Sequence, residues 1–288
     1  MTAHEAIRFT VDYWNNIPIK GTVMTGSLSL ERGLSVLEAL KDSDEPIGVR
    51  EIARRLDLSP PAIQRLLNTL AGRGYVEQAA DTRRYHIGHG VVELARHVLR
   101  KDRLVETAEP ELQALAAIGF FNAFLGVRLS SHGLYLLAVQ SRSPVVIRSS
   151  PGERMPLHST ALGKALLVGL AEDAILELFG QGQLEQLTAR TLTTPAQLIT
   201  QLQTARGLGY TTSLDENILG VISVGAPIRG ASGAVIAAIS IACPRAIGPR
   251  IEIAEMGERV MAAAGRISAH LGFPENGEPT GKDPCYAA

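Results

Sequence analysis

The sequence predicts an α+β protein in two folded parts, and three observations predict it. Three short apolar-periodic segments are followed by two β-prone runs; a helical stretch connects onward; strand-like runs then alternate with helices and end on one long helix. With 288 residues, 45% hydrophobic and 20% charged, the chain is long enough to bury two cores.

The first helix is expected over residues 29–40, where Leu30, Leu34, Leu37 and Leu40 recur at three- and four-residue spacing behind Ser29 as N-cap. After the acidic turn KDSDEPIG, the segment VREIARRLDL carries Ile52, Ala53 and Leu56 as the stripe of a second helix. Ser59 is placed to cap a third, with Pro60 at its first position, where the missing N–H costs nothing. Ile63, Leu66, Leu67 and Leu70 form its buried face, and Gly72 and Gly74 stop it. YVEQ and RRYHI then read as the strands of a hairpin across AADT. Three short helices closed by a hairpin, in about 60 residues, follow the order of a winged helix-turn-helix.

In that motif the third helix enters the major groove of DNA. Pro61, Gln64, Arg65, Asn68 and Thr69 are its expected outward residues, and Gln, Arg and Asn can hydrogen-bond base edges or phosphates. Arg83 and Arg84 fall on the hairpin, where a wing meets the DNA backbone or minor groove. Net charge does not decide the matter: residues 27–90 hold nine Lys/Arg and nine Asp/Glu, and the whole chain stands at -1. Any DNA contact must therefore be a local patch. A solvated polar face on a small structural core is the competing reading.

Residues 88–119 read as helical, a connector with Leu94, Val98, Val105, Leu112 and Leu115 among its apolar positions. Beyond it FNAFLGVRL, GLYLLAV and PVVIRSS are successive strand candidates, so an antiparallel sheet is expected. LHSTALGKALLVGL, TPAQLITQLQTARGLG and residues 250–271 read as helices, while GVISVGAPI and AVIAAISIAC read as strands joined by RGASG.

No apolar run is long enough to span a membrane, and the first twenty residues lack the cationic start and apolar centre of a signal peptide. A cytoplasmic protein with no membrane partner is expected. Cys243 and Cys285 make no disulfide framework and no Cys/His pair has zinc spacing, so neither a metal nor a cofactor is anticipated. The tail PENGEPTGKDPCYAA has too little apolar surface to order itself.

Five segments together resemble the IclR family of bacterial transcriptional regulators: SLERGLSVLEAL, REIARRLDLSPPAIQRLLNTLAGRGYV, MPLHSTALGKALL, GYTTSLDENILGVISVGAPIRGASGAVIAAISIACP and the closing helix. The resemblance covers about residues 28–273. It implies a leader (1–27), a winged helix-turn-helix (28–88), a linker helix (89–104), an effector domain resembling GAF domains (105–273) and a disordered tail (274–288). It further implies a ligand-responsive regulator, repressor rather than activator, working on double-stranded operator DNA as a homodimer or homotetramer.

Two departures matter. Where the family usually opens its recognition helix with Lys-Ser-Thr, this chain has Pro60, Pro61 and Ala62, so contact leans on Ser59, Gln64, Arg65 and backbone N–H groups. Where small-acid sensors of the family carry an acid and two serines, the matching positions are Ser213, Ser240 and Ala242. The remaining implied pocket positions are Met155, Ala161, Leu162, Val221 and Ser223, a mostly apolar lining. A small-molecule effector larger and less polar than glyoxylate or pyruvate is expected, such as an aromatic acid or a related amide or hydrazide. The start of the helix after His158 would offer N–H groups near residues 159–162 to a carboxylate or carbonyl, although Ser159 and Thr160 could equally serve only as caps.

The alternative is an enzyme of GAF-like class acting on a small carboxylate or amide. Its candidate residues are weak. Gly163 and Lys164 lack the spacing of a phosphate-binding loop, Ser159 and Lys164 lack Ser-x-x-Lys spacing, and no Gly-x-Ser-x-Gly elbow occurs. His158 reads as structural, Cys243 as a small core side chain, and Asp215 with Glu216 as a solvated pair on a turn.

Overall fold

A computed structural model describes residues 26–118, 120–142, 147–246 and 252–274. The chain divides between Lys101 and Asp102 into two units.

The first unit opens on α1 (Leu28–Lys41), whose N-cap is Ser27 rather than Ser29 and whose first-turn Glu31 and last-turn Lys41 suit the helix dipole. The expected leucine stripe is only half correct. Val36 and Leu40, one turn apart, define the core face, while Leu30 and Leu34 are 62% and 52% exposed. Helices α2 (Val49–Leu56) and α3 (Pro60–Ala71) pack on it, burying Ile52, Ala53, Ile63 and Leu67, with Leu56, Leu66 and Leu70 half-buried at the edge. Ser59 is the N-cap of α3 by position only. Its hydroxyl makes no cap bond, and Ala62 and Ile63 donate instead to its carbonyl at 2.9 and 3.1 Å.

The hairpin β1 (Val76–Gln78) and β2 (Tyr85–Ile87) is antiparallel, with Val76 opposite Ile87 and Gln78 opposite Tyr85. Its strands are shorter than the runs suggested because Arg83 takes a left-handed conformation, φ 56°, which puts it and Arg84 in the turn. Ile47 bridges to Tyr85 and ties the α1–α2 turn to the hairpin. Helix α4 (Gly90–Lys101) ends the unit.

The second unit begins with Asp102, whose carboxylate accepts from Leu104 N–H at 2.9 Å and caps α5 (Arg103–Ala117). The connector expected over 89–104 is thus interrupted at Asp102, where a new helix starts.

The sheet contains β3 (Asn122–Leu129), β4 (His132–Val139), β5 (Arg154–Met155), β6 (Thr211–Leu214), β7 (Val221–Arg229) and β8 (Val235–Pro244). Its order is β5-β4-β3-β8-β7-β6, antiparallel throughout. The third strand expected from PVVIRSS differs. Residues 144–146 lie outside the described residues, 147–150 form no strand, and the edge is closed by the two-residue β5.

Helix α6 (Ala161–Leu167) packs over β3, β7 and β8, and α7 (Glu172–Phe179) and α8 (Pro195–Leu208) pack beside it. Ala238 and Ala242 of β8 join that core, so the intervening Ile239 and Ile241 face the other side, where α5 and α9 (Ile253–His270) pack. A strand covered on both faces reads as an unbroken apolar run, which is why AVIAAISIAC shows no alternation. Helix α8 carries the full capping box of Thr194 and Gln197 and ends on left-handed Gly209. The leader before residue 26 and the tail after residue 274 lie outside the described residues.

Candidate functional site

In the first unit, α3 presents Pro61, Arg65, Asn68 and Thr69 as exposed residues beyond Ser59, also exposed. Gln64 is not fully available. It is half-buried, and its side-chain amide donates to the Tyr85 hydroxyl and to Asn68 Oδ1, both at 2.9 Å. Thr69 returns its hydroxyl to the Arg65 carbonyl at 3.0 Å. Arg54 and Arg55 share the single carboxylate of Glu51, which offsets one of their two charges and whose carboxyl their guanidinium hydrogen bonds pull down to about 2. Arg65 has no ion pair among the described residues, and Arg83 is exposed at the hairpin turn. Arg84, also exposed, reaches the Pro46 carbonyl at 3.4 Å.

The second unit contains a small cleft that opens to solvent and is lined by residues of the sheet and of α6. Register builds its floor. Ser213 lies opposite Ser223 and Ser223 opposite Ala242, while Phe124, Ser240 and Gly225 form the adjacent row. Thr160, Ala161 and Leu162 form the roof. They can sit this close because Gly225 has no side chain: a Cβ there would stand 2.7 Å from the Ala161 carbonyl. Val221, Asn217 and Ile218 form one wall, and Tyr135 and Ile147 another, with the Phe124 and Tyr135 rings 5.5 Å apart and tilted.

A chain of hydrogen bonds holds the roof to the wall. Ser213 donates to the Ser159 carbonyl at 2.6 Å, Ser159 donates to Asn217 Oδ1 at 3.0 Å, and Thr211 donates to the Ala161 carbonyl at 2.7 Å. Thr160 is the cap of α6, donating to the Pro156 carbonyl and accepting from Gly163 N–H.

The comparisons with known proteins match both units. The model of the IclR helix-turn-helix domain covers residues 29–80, and that of the bacterial transcriptional regulator IclR C-terminal domain covers residues 96–269. The chain belongs to the IclR family of bacterial transcriptional regulators. It is 31% identical over 248 residues to the HTH-type transcriptional repressor AllR of Escherichia coli (strain K12), covering 86% of this chain and 92% of that protein. The fold is shared with an IclR transcriptional regulator from Alicyclobacillus acidocaldarius, at TM-score 0.75 and 24% identity over 86% of this chain and all of that one. An IclR homolog from Microbacterium hydrocarbonoxydans, complexed with 4-hydroxybenzoate, gives TM-score 0.71 and 23% identity over 84% of this chain and 98% of that one. The protein is thus a DNA-binding regulator with a ligand-binding C-terminal domain, not an enzyme.

In this IclR-family chain, six of the seven residues expected in the pocket meet on the cavity: Ala161, Leu162, Ser213, Val221, Ser223 and Ser240. Met155 does not. It is buried beside Gly126 and Gly133, filling the space their missing side chains leave, and belongs to the core behind the cavity. Sequence reasoning passed over Phe124, Tyr135, Ile147, Thr160, Asn217 and Ile218 as lining residues. Asn217 and Ile218 lie inside the quoted GYTTSLDENILG, whereas the two rings meet only through the β3–β4 register.

Asp215 and Glu216 are a plain correction: they are buried, at 6% and 5% exposure, not solvated. Glu216 binds Lys164 at 2.8 Å through both oxygens, and its carbonyl accepts from Thr191 at 2.6 Å. Burial pushes the Asp215 carboxyl up, but the Arg245 guanidinium at 2.6 Å and the Gly220 N–H at 2.8 Å together hold it below its ordinary value. These anchors fix the segment that carries Asn217 and Ile218 into the cavity. His158 donates to the Glu185 carbonyl at 2.8 Å and stands edge-on to Phe179, a structural arrangement.

Cys243 is buried and burial raises its thiol to about 11. At pH 8 a chain carrying Cys285→Ser should therefore leave a disulfide-exchange reagent unreacted while folded and consume one equivalent after denaturation. Stoichiometric reaction of the native protein would show that the face of β8 opposite the cavity, which carries Ile239 and Ile241, is open.

Among the described residues no helix is long and apolar enough to cross a membrane, and no cluster of three metal-ligating side chains occurs.

Proposed function

We propose that this regulator represses catabolic genes in the cytoplasm, releasing or repositioning on operator DNA when a small organic effector fills the cavity of the second unit. The carrying observation is the convergence of residues from β6, β7, β8 and α6 on one lined cavity of the second unit; in the first unit, taken by itself, α3 exposes Arg65, Asn68 and Thr69. In this reading residues 28–88 bind DNA, 89–104 transmit, and 105–273 sense. A homodimer would set two α3 helices into successive major-groove faces of a palindrome, and a homotetramer would pair two such dimers. Effector binding shifts the population between arrangements only by its differential affinity for them.

Ser59, Pro61, Arg65, Asn68 and Thr69 supply the groove contact, with Arg83 and Arg84 at the backbone. Gln64, committed to Tyr85 and Asn68, positions its neighbours more than it reads bases. Proline at positions 60 and 61 removes two donors from the start of α3, so the charge of Arg65 carries more of the affinity.

The test is fluorescence anisotropy of the full chain on the duplex upstream of its own gene and on a scrambled duplex, at one salt concentration. Preference for the upstream duplex is expected. Arg65→Ala should weaken that complex by about 1–3 kcal/mol if the guanidinium reads a base edge, or lower the salt slope by about one if it meets phosphate. An unchanged affinity with an unchanged slope removes Arg65 from the interface. Equal binding to both duplexes would locate the operator elsewhere in the genome, to be sought by selection from random duplexes.

A further inference from the structure

Among the described residues the side chains lining the cavity are all uncharged. The ions of the neighbouring segment are already matched: Lys164 with Glu216, and Arg245 with Asp215. What remains for a ligand is a set of neutral groups. Ser240 is 3% exposed, faces the cavity, and has no hydrogen-bond partner among the described residues. Asn217 uses its Oδ1 to accept from Ser159, which leaves its amide N–H groups toward the cavity wall. Ser213 has already given its proton to the Ser159 carbonyl.

We infer that the effector is an uncharged molecule with an amide-like end, held by Ser240 and Asn217, and a flat apolar body lying against Phe124 and Tyr135. This rests on the reading of the cavity as the effector site and goes beyond it by fixing the ligand's charge. The physics is a comparison of two ends of similar size. An ionised carboxylate offers only acceptors and would be buried with no counter-charge, a large desolvation cost that neutral donors offset only in part. An amide supplies both an acceptor for Asn217 and a donor for the Ser240 oxygen, at the smaller cost of a neutral group. At the start of α6 Thr160 already takes the Gly163 N–H, and a helix N-terminus offers only a partial positive charge, short of a full counter-charge.

The experiment is calorimetric titration of the full chain with matched pairs: acetamide and acetate, benzamide and benzoate, 4-hydroxybenzamide and 4-hydroxybenzoate. At least one amide should bind, at least about tenfold tighter than its acid, about 1.4 kcal/mol. Ser240→Ala, nearly isosteric, should weaken that amide about fivefold. Val221→Trp, which fills the cavity from a half-buried position on β7, should abolish its binding. Melting curves of both variants establish that they fold. If the acids bind as tightly as their amides or tighter, and Val221→Trp abolishes this, the inference about charge is overturned while the cavity reading stands. If amide binding survives Val221→Trp, the cavity reading fails and the inference with it. Absence of binding by every amide also overturns the inference.

Discussion

Replacing Lys164 by methionine is expected to destabilise the effector unit by about 3–5 kcal/mol, and adding Glu216→Leu to restore most of that loss. The ammonium is 1% exposed and donates to Gln201 Oε1 and the Thr212 carbonyl at 2.6 Å and to both Glu216 oxygens at 2.8 Å. Burial pulls it below the usual lysine range although the Glu216 charge resists. Removing it alone strands a buried carboxylate, which is where the large cost arises. Removing both charges replaces an ion pair by apolar surface, an exchange that is often close to neutral. Urea denaturation of the two single variants and the double variant measures the coupling directly. A loss in the double variant equal to the sum of the two single losses would mean that the pair contributes nothing beyond its packing. The carbonyls of Asp215 and Glu216 keep their hydrogen bonds to Thr188 and Thr191 in all three, so the double variant should retain the cavity wall.

That the pair went unread in the sequence has a physical reason. Lys164 and Glu216 are 52 positions apart, and an Asp-Glu dipeptide before Asn-Ile-Leu-Gly has the composition of a solvated turn. Only the register of β6 and the placement of α6 bring the two charges together. Elements that depend on local physics were legible: the 3.6-residue spacing of α3, Pro60 at its start, and the apolar runs of β7 and β8. Elements that depend on distant packing were not. β5 is two residues long and α7 has a single fully buried residue, Ile175, so neither leaves a periodic signal. Met155 matched a pocket position by order along the chain, yet the two glycines beside it turn that position into core. Leu30 and Leu34 fit a helical stripe that is wider than the face α1 actually buries.

The cavity shows the same division. Ser213 was legible as a departure from an acid-binding pattern in which Ser240 is kept, because substitution of one side chain changes local chemistry. The aromatic wall was not, because Phe124 and Tyr135 meet by strand pairing. Hydroxyls without charges and a pair of rings then say more about the ligand than the helix start does, since Thr160 already occupies the Gly163 N–H.

Gly88→Ala is expected to cost the DNA-binding unit about 3 kcal/mol and, with it, operator affinity. Gly88 donates to the Tyr75 carbonyl and Gly90 to that of Gly74, each at 2.9 Å, so the end of the hairpin runs directly against the left-handed turn at Gly74, φ 72°. A Cβ on Gly88 would stand 2.3 Å from the Gly74 oxygen and 3.0 Å from the Val76 nitrogen. Both neighbours are backbone, so no side chain can turn aside, and relief requires β2 to move away from the end of α3. The strand carrying Tyr85 would move with it, releasing Gln64 and loosening the surface that holds Arg65 and Asn68. Gly33→Ala supplies the contrast: it lies inside α1, meets nothing within 4 Å, and should stabilise the same unit by about 0.5–1 kcal/mol. Denaturation followed by circular dichroism, with operator anisotropy on the same samples, compares the two. If Gly88→Ala behaves like Gly33→Ala, the close approach of hairpin and turn is not what fixes α3, and the position of its outward side chains must be held by the Ile63 and Leu67 core alone.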